Sequence, residues 1–217
     1  MISEPRTASV SGDWSRNIEA LANGTHVRLS LIGPNDKHDL LTGMAGLSRQ
    51  SRYLRFFSYM PTLPKPILDG LLNTDARNHV AIGARVVGAD NRVRPPIVGV
   101  ARYYRAADSE QVAEPAVAVI DTLHGYGLGK LLLRTLSRYA RTQGITHFRA
   151  HTLMDNSRIR QMLRAAHGKV VDRDGPVLVY DVDIRRRPGQ RKQRGVLARL
   201  LKAMGYTTSF NLPDSTS

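Results

Sequence analysis

Residues 116–120 read Ala-Val-Ala-Val-Ile, and the chain then places Gly125, Gly127 and Gly129 at every second position before a long apolar-periodic segment. Small and β-branched residues in a row predict a buried strand. The segment 128–142 puts Leu128, Leu131, Leu132, Leu136 and Tyr139 on one stripe and Lys130, Arg134, Arg138 and Arg141 largely opposite, which predicts a helix ended by Gly144. Strand, glycine turn and helix start together make an anion site. Glycine lets backbone N–H groups turn inward without a Cβ clash, and the helix adds its positive dipole end and the unpaired N–H groups of its first turn. A diphosphate fits such a loop.

Two common phosphate loops fail on the residues. A Walker loop needs Gly-Lys-Ser/Thr, but Gly129-Lys130 is followed by Leu131, so no hydroxyl is placed for magnesium. The dinucleotide fingerprint needs G-x-G-x-x-G, and the spacing here is G-x-G-x-G.

Around this stretch the chain alternates strand-like and helix-like segments. Residues 13–23 predict a short helix, with Asp13 as N-cap and Gly24 as stop. Val27, Leu29 and Leu31 alternate over 25–32 as a half-buried strand. Pro34 opens a helix whose Leu40, Leu41, Met44 and Leu47 recur at helical spacing. A second helix over 48–57 carries Tyr53, Leu54, Phe56 and Phe57, which either pack it onto the sheet or line a substrate groove. Three prolines mark 60–66 as a loop, and 67–72 reads as a short helix. Segments 79–87 and 96–104 form a hairpin across 88–94, and 146–153 is a further strand. Asp155, Asn156 and Ser157 supply caps for a helix with Ile159, Met162, Leu163 and Ala166 inside. Segments 169–172 and 177–184 close the chain as paired strands. The order is βααβββαβαββ, a three-layer α/β arrangement.

At 217 residues the chain accommodates one domain with a substantial core and some extra. It has no cysteine, which excludes disulfides, thiolate metal sites and a cysteine nucleophile. His147 and His151 lie on a strand without a third ligand, so no metal is expected. There is no apolar run of about 18 residues and no apolar leader core, so the expectation is a cytoplasmic protein.

The glycine stretch, His124-Gly125-Tyr126-Gly127-Leu128-Gly129, resembles the acyl-CoA loop of the GNAT N-acetyltransferase superfamily, with His124 where the family usually has Gln or Arg. The element order over 25–184 is also that of the family. Leu153-x-Asp155-Asn156 resembles the segment whose Asn approaches the pantetheine arm. The stretches from Gly24 (G-T-H-V-R-L-S-L-I-G-P-N-D) and Ser51 (S-R-Y-L-R-F-F) are similar to the opening of the branch that acetylates protein lysines in bacteria.

The resemblance implies a GNAT-like fold: a central, mostly antiparallel twisted sheet splayed beside the acyl-CoA site. It divides the chain into an extension (1–24), the acetyltransferase domain (25–184) and a tail (185–217). It implies acetyl-CoA as co-substrate, with Val117, Ala118 and Val119 offering backbone groups to the pantetheine amides. His124, Gly125, Tyr126, Gly127, Leu128, Gly129 and Lys130 would hold the diphosphate, and Asn156 would approach the arm. Glu114 matches the branch's proposed catalytic Glu, and its alternative role is a strand-edge residue paired with an arginine. Pro115 beside it removes a backbone donor, so the strand is expected to bulge or splay there. No residue is assigned as general acid.

Charge bears on partners. The chain carries a formal +14, and residues 185–217 hold eight basic residues against one acid, half of that excess. Val196, Leu197, Leu200, Leu201 and Met204 share one face of a helix expected over 192–206. Such a tail docks on its own domain or a second copy, or binds nucleic acid or an anionic membrane. The net charge repels polyamines and favours acidic partners, which points to a protein lysine as acceptor. A small-amine acetyltransferase and a nucleic-acid-binding module without catalysis are the alternatives.

Overall fold

The computed structural model describes residues 17–58 and 63–185. Its elements in order are β1 (Ile18–Ala20), β2 (His26–Leu31), a 3-10 turn (Pro34–Asp36), α1 (Lys37–Ala45), α2 (Arg49–Phe56) and α3 (Lys65–Leu72). There follow β3 (His79–Val87), β4 (Val93–Arg105), β5 (Val112–Val119), α4 (Leu128–Thr142), β6 (His147–Leu153), α5 (Ser157–Ala165), β7 (Lys169–Asp174) and β8 (Val177–Asp183). The strands form one eight-stranded sheet in the order β1-β2-β3-β4-β5-β6-β8-β7. Every neighbouring pair is antiparallel except β5 and β6, which run parallel. Among the described residues no helix is long and apolar enough to cross a membrane.

Period-two alternation explains how the sheet is covered. In β2, Val27 and Leu29 are fully buried on the face that meets α4, whose Leu128, Leu132 and Leu136 are completely enclosed. Ile32, Ala81 and Ile97 bury against Leu40 of α1 and Leu68, Leu71 and Leu72 of α3 in a second cluster. Helices therefore cover both faces of the sheet. Arg85 of β3 ties α1 down by reaching Asp36 and Asp39, the latter at 2.9 Å. Gly43 lets α1 approach β4 so closely that a Cβ there would sit 1.9 Å from the Ile97 carbonyl oxygen.

Several expectations are corrected. Residues 18–20 form a strand, not part of a helix, because they pair with Arg28, Val27 and His26. Gly24, with φ of +81°, serves the β1–β2 turn instead of stopping a helix. Leu41 is 39 % exposed, since Leu40 and Gly43 face the sheet in its place. Residues 116–120 are only partly buried, so β5 is not the enclosed strand its composition suggests. Neither α2 nor α5 has a buried residue, and Ala166 is exposed. Lys65 and Pro66 already form the first turn of α3, which shortens the loop expected over 60–66. The helix expected at 192–206 and residues 13–16 lie outside the described residues.

Candidate active site

The parallel join between β5 and β6 is very short. Only Val112 pairs with His147 and Ala113 with Phe148, and then the strands part. On its other side β5 stays paired to β4 without a break, from Arg105 opposite Ala113 to Gly99 opposite Val119. The splay begins where Glu114 and Pro115 stand, and the β4–β5 ladder carries no bulge. The alternation of an antiparallel ladder gives the reason. The Ile120 N–H donates to the Val98 carbonyl at 3.0 Å, so backbone groups of Ala118, Ala116 and Glu114 face β4 in turn. Those of Pro115, Val117 and Val119 face the gap. Pro115 therefore removes a donor on the β6 side, where pairing ceases, and costs the β4 ladder nothing.

Of the three β5 residues expected to present backbone groups, Val117 and Val119 turn theirs into the fork, while Ala118 turns its own towards β4. The Val119 carbonyl is already engaged, with His124 Nε2 2.8 Å away. A carbonyl only accepts, so Nε2 carries the proton in this contact. The imidazole thus pins the glycine loop to the end of β5. Its Nδ1 lies 3.9 Å from Asp121 Oδ1.

Beyond His124 the loop rises on Gly125 (φ +85°) and Gly127 (φ +93°), both in the left-handed region that glycine adopts without strain. Gly127 caps α4, and no side chain satisfies the helix's first N–H groups. The first turn, Leu128-Gly129-Lys130, therefore presents unsatisfied donors at the positive end of a fifteen-residue helix. Leu128 is fully buried and anchors that turn. Gly129 lies 3.9 Å, by its would-be Cβ, from Val119. Lys130 is exposed, and Tyr126 is 37 % exposed with its carbonyl accepting from Ala22 N–H at 3.1 Å. Asn156, 8 % exposed, caps α5 by accepting from Ile159 N–H at 3.2 Å. That bond commits its oxygen and leaves the amide N–H groups for any ligand.

Glu114 projects from the opposite face of β5, together with Ala116 and Ala118. It is exposed, and among the described residues it has no ion-pair partner within 4.0 Å. It stands opposite Tyr104, which itself stands opposite and stacked on His79, with ring centroids 4.0 Å apart. One pleat further on, a groove of about 480 Å³ opens between α1, α2, β4 and β5. Its walls include Met44, Phe56, Val100, Ala116 and Ala118. None of the aromatic residues of α2 is buried, so that helix forms a rim of the groove.

Two features of the site escape sequence reading. Asp121, just after β5, accepts from Ser48 N–H (2.7 Å), Ser48 Oγ (2.9 Å) and Ser51 Oγ (2.8 Å). Burial alone would raise its pKa, but these hydrogen bonds prevail and hold the carboxyl below the usual range. This carboxylate locks the start of α2 to the glycine loop. The second feature is a pair of arginines, Arg55 and Arg102, in the groove wall.

A forked sheet beside an uncapped glycine helix start, with a groove across the fork, is the geometry of an acyltransferase. The chain belongs to the acetyltransferase (GNAT) family, whose model matches residues 50–168. It is 32 % identical over 170 residues to an acetyltransferase of Pseudomonas aeruginosa, covering 77 % of this chain and 86 % of that one. It is 29 % identical over 152 residues to acetyltransferase Pat of Mycolicibacterium smegmatis, covering 70 % of this chain and 44 % of Pat. The GNAT domain of S. lividans PAT superposes with a TM-score of 0.69 at 24 % identity, covering 77 % of this chain and 96 % of that domain. The fold and the family read from residues 25–184 both stand with these matches, as does the branch resemblance.

Proposed function

We propose that the protein transfers an acetyl group from acetyl-CoA to a protein lysine by direct attack, with Glu114 as general base. The observation that carries this reading is the fork: β5 leaves β6 at Glu114, with open backbone groups on one side and the groove on the other. The pantetheine arm would lie along β5 as a half-strand, paired to the Val117 carbonyl and to the Val119 N–H. Its diphosphate would meet the first turn of α4, where backbone donors and dipole supply the affinity.

A lysine of ordinary pKa is neutral in only about one molecule in 2,500 at pH 7, a cost of about 4.6 kcal/mol. Glu114, directly or through one water, takes the ammonium proton. The nitrogen lone pair then adds to the thioester carbonyl, and the Val117 N–H, the fork-facing donor nearer Glu114, stabilises the developing oxyanion. The C–S bond breaks as the C–N bond is kept. The sulfur leaves as thiolate and takes up the proton that the acetylated nitrogen loses, so the amide and free CoA are the products. A thiol of pKa about 8.5 leaves without an obligatory acid, consistent with the lack of an assigned one.

The test is release of free CoA from acetyl-CoA in the presence of lysine peptides and, separately, small amines. Glu114→Gln should lower kcat about 10²- to 10⁴-fold and leave acetyl-CoA binding unchanged by calorimetry. Full activity in that variant removes Glu114 from the mechanism. Turnover of small amines alone would reassign the acceptor.

A further inference from the structure

Arg102 sits on β4 among very small neighbours, facing Ala81 on one side and Ala116 on the other. Its side chain lies on the groove face, and the residue is only 3 % exposed. One of its five donors reaches the Leu71 carbonyl at 3.0 Å, at the last turn of α3. That bond caps a helix C-terminus, where a cation is favoured. The Tyr104 side chain supplies a further hydrogen bond, and the remaining donors of the guanidinium have no carboxylate to meet among the described residues.

Arg55 reaches the same groove from α2, with its guanidinium 4.9 Å from the Phe56 ring centroid. Burial lowers its pKa to about 10, and the neighbouring charge of Arg102 adds to the effect. Burial likewise lowers that of Arg102. Among the described residues no carboxylate lies within 4.0 Å of either guanidinium. Two partly desolvated like charges beside each other are costly unless an anion joins them. Helix capping explains Arg102 but gives no reason for Arg55 to lie beside it.

We infer that Arg55 and Arg102 form a carboxylate-binding subsite of the acceptor groove, so that the preferred acceptor is an amine carrying a carboxylate close to the reacting nitrogen. Register places Arg102 one pleat from Glu114, with Cα atoms on the order of 8 Å apart by strand geometry. An acidic residue flanking the target lysine, or the carboxylate of a free amino acid, spans that distance. Paired guanidinium forks suit the planar carboxylate. The acceptor, rather than the thioester, is the carrier because the arginines come from α2 and β4, across the groove from the β5–β6 fork. This inference rests on the transferase reading above and refines its acceptor.

The test pairs acceptors that differ in one charge: lysine peptides with Glu or Gln beside the lysine, and free lysine against lysinamide. With the full chain and acetyl-CoA, the carboxylate member of at least one pair should have a KM about tenfold lower. The pair that responds distinguishes a peptide from an amino-acid acceptor. Fluorescence anisotropy of the labelled peptide pair reads binding in parallel, independent of turnover. Arg55→Gln should bring the ratio within each pair close to one in both measurements, and Arg102→Lys, which keeps the charge, should reduce it less. Equal affinities for the charged and neutral members overturn the subsite even if both are acetylated. A preference for succinyl-CoA over acetyl-CoA, with no discrimination among amines, would also overturn it by moving the carboxylate to the thioester. Tight binding of the acidic peptide without any acetylation would support the subsite and defeat the transferase reading.

Discussion

His79 shows how one buried side chain can impose a pH dependence on the fold. Its ring is stacked on Tyr104, its Nδ1 lies 2.8 Å from the Asn73 carbonyl, and its Nε2 is buried without a partner. Burial lowers its pKa, the Asn73 contact opposes this, and Arg102 lowers it further. The native state thus resists a proton that the unfolded chain accepts below about pH 6.5. Stability is unaffected above that pH and falls as the pH drops, by up to about 1.4 kcal/mol per unit. Urea denaturation between pH 7.5 and 5.5 should show this slope, and His79→Gln should flatten it. Asp75 does not confuse the reading. Burial would raise its pKa, but hydrogen bonds from the His79, Arg77 and Asn78 N–H groups hold it lower, so it titrates in a more acidic window. At this scale Glu114 could be proposed from the sequence because it resembles a motif position, whereas Arg102 could not. The run Val100-Ala101-Arg102-Tyr103 alternates like any strand. Only its cross-strand neighbours, Ala81 and Ala116, reveal the space its guanidinium occupies.

Among the elements, α1 sets the width of the groove, and Gly43 sets the distance of α1 from β4. Helix propensity alone predicts that Gly43→Ala stabilises the protein by roughly 1 kcal/mol. The 1.9 Å approach to the Ile97 carbonyl reverses that sign, because backbone cannot swing aside as a side-chain end can. A loss of about 1–3 kcal/mol is expected in chemical denaturation, together with a raised acceptor KM as α1 is displaced. Helices with one strong stripe, such as α4, could be read residue by residue from the sequence. The short strand β1 could not. Residues 13–24 carry good local helix signals, and pairing with β2 overrides them for Ile18–Ala20. The lock between α2 and the glycine loop was equally hidden. Ser48 and Asp121 are 73 positions apart, and nothing local marks either as the other's partner.

For the molecule as a whole, the sheet is continuous on both sides of one weak seam. Strands β1–β5 and the trio β6, β8 and β7 share only two residue pairs between β5 and β6. Acetyl-CoA laid along β5 should protect the Val117 and Val119 amides from hydrogen exchange. The Ala118 amide, already turned to β4, should change little. Uniform protection along β5 would count against a half-strand mode of binding. Thermal stability should rise by about 2.7 kcal/mol at a ligand concentration 100 times Kd. The seam was anticipated from Pro115, but its sharpness came from tertiary pairing that one strand's composition does not encode. On the binding mode proposed above, the donor molecule would complete a slot that the protein leaves in its own architecture. Each turnover would therefore mend the sheet and unzip it again, and letting the spent carrier go would be the step in which the enzyme gives up its most robust form.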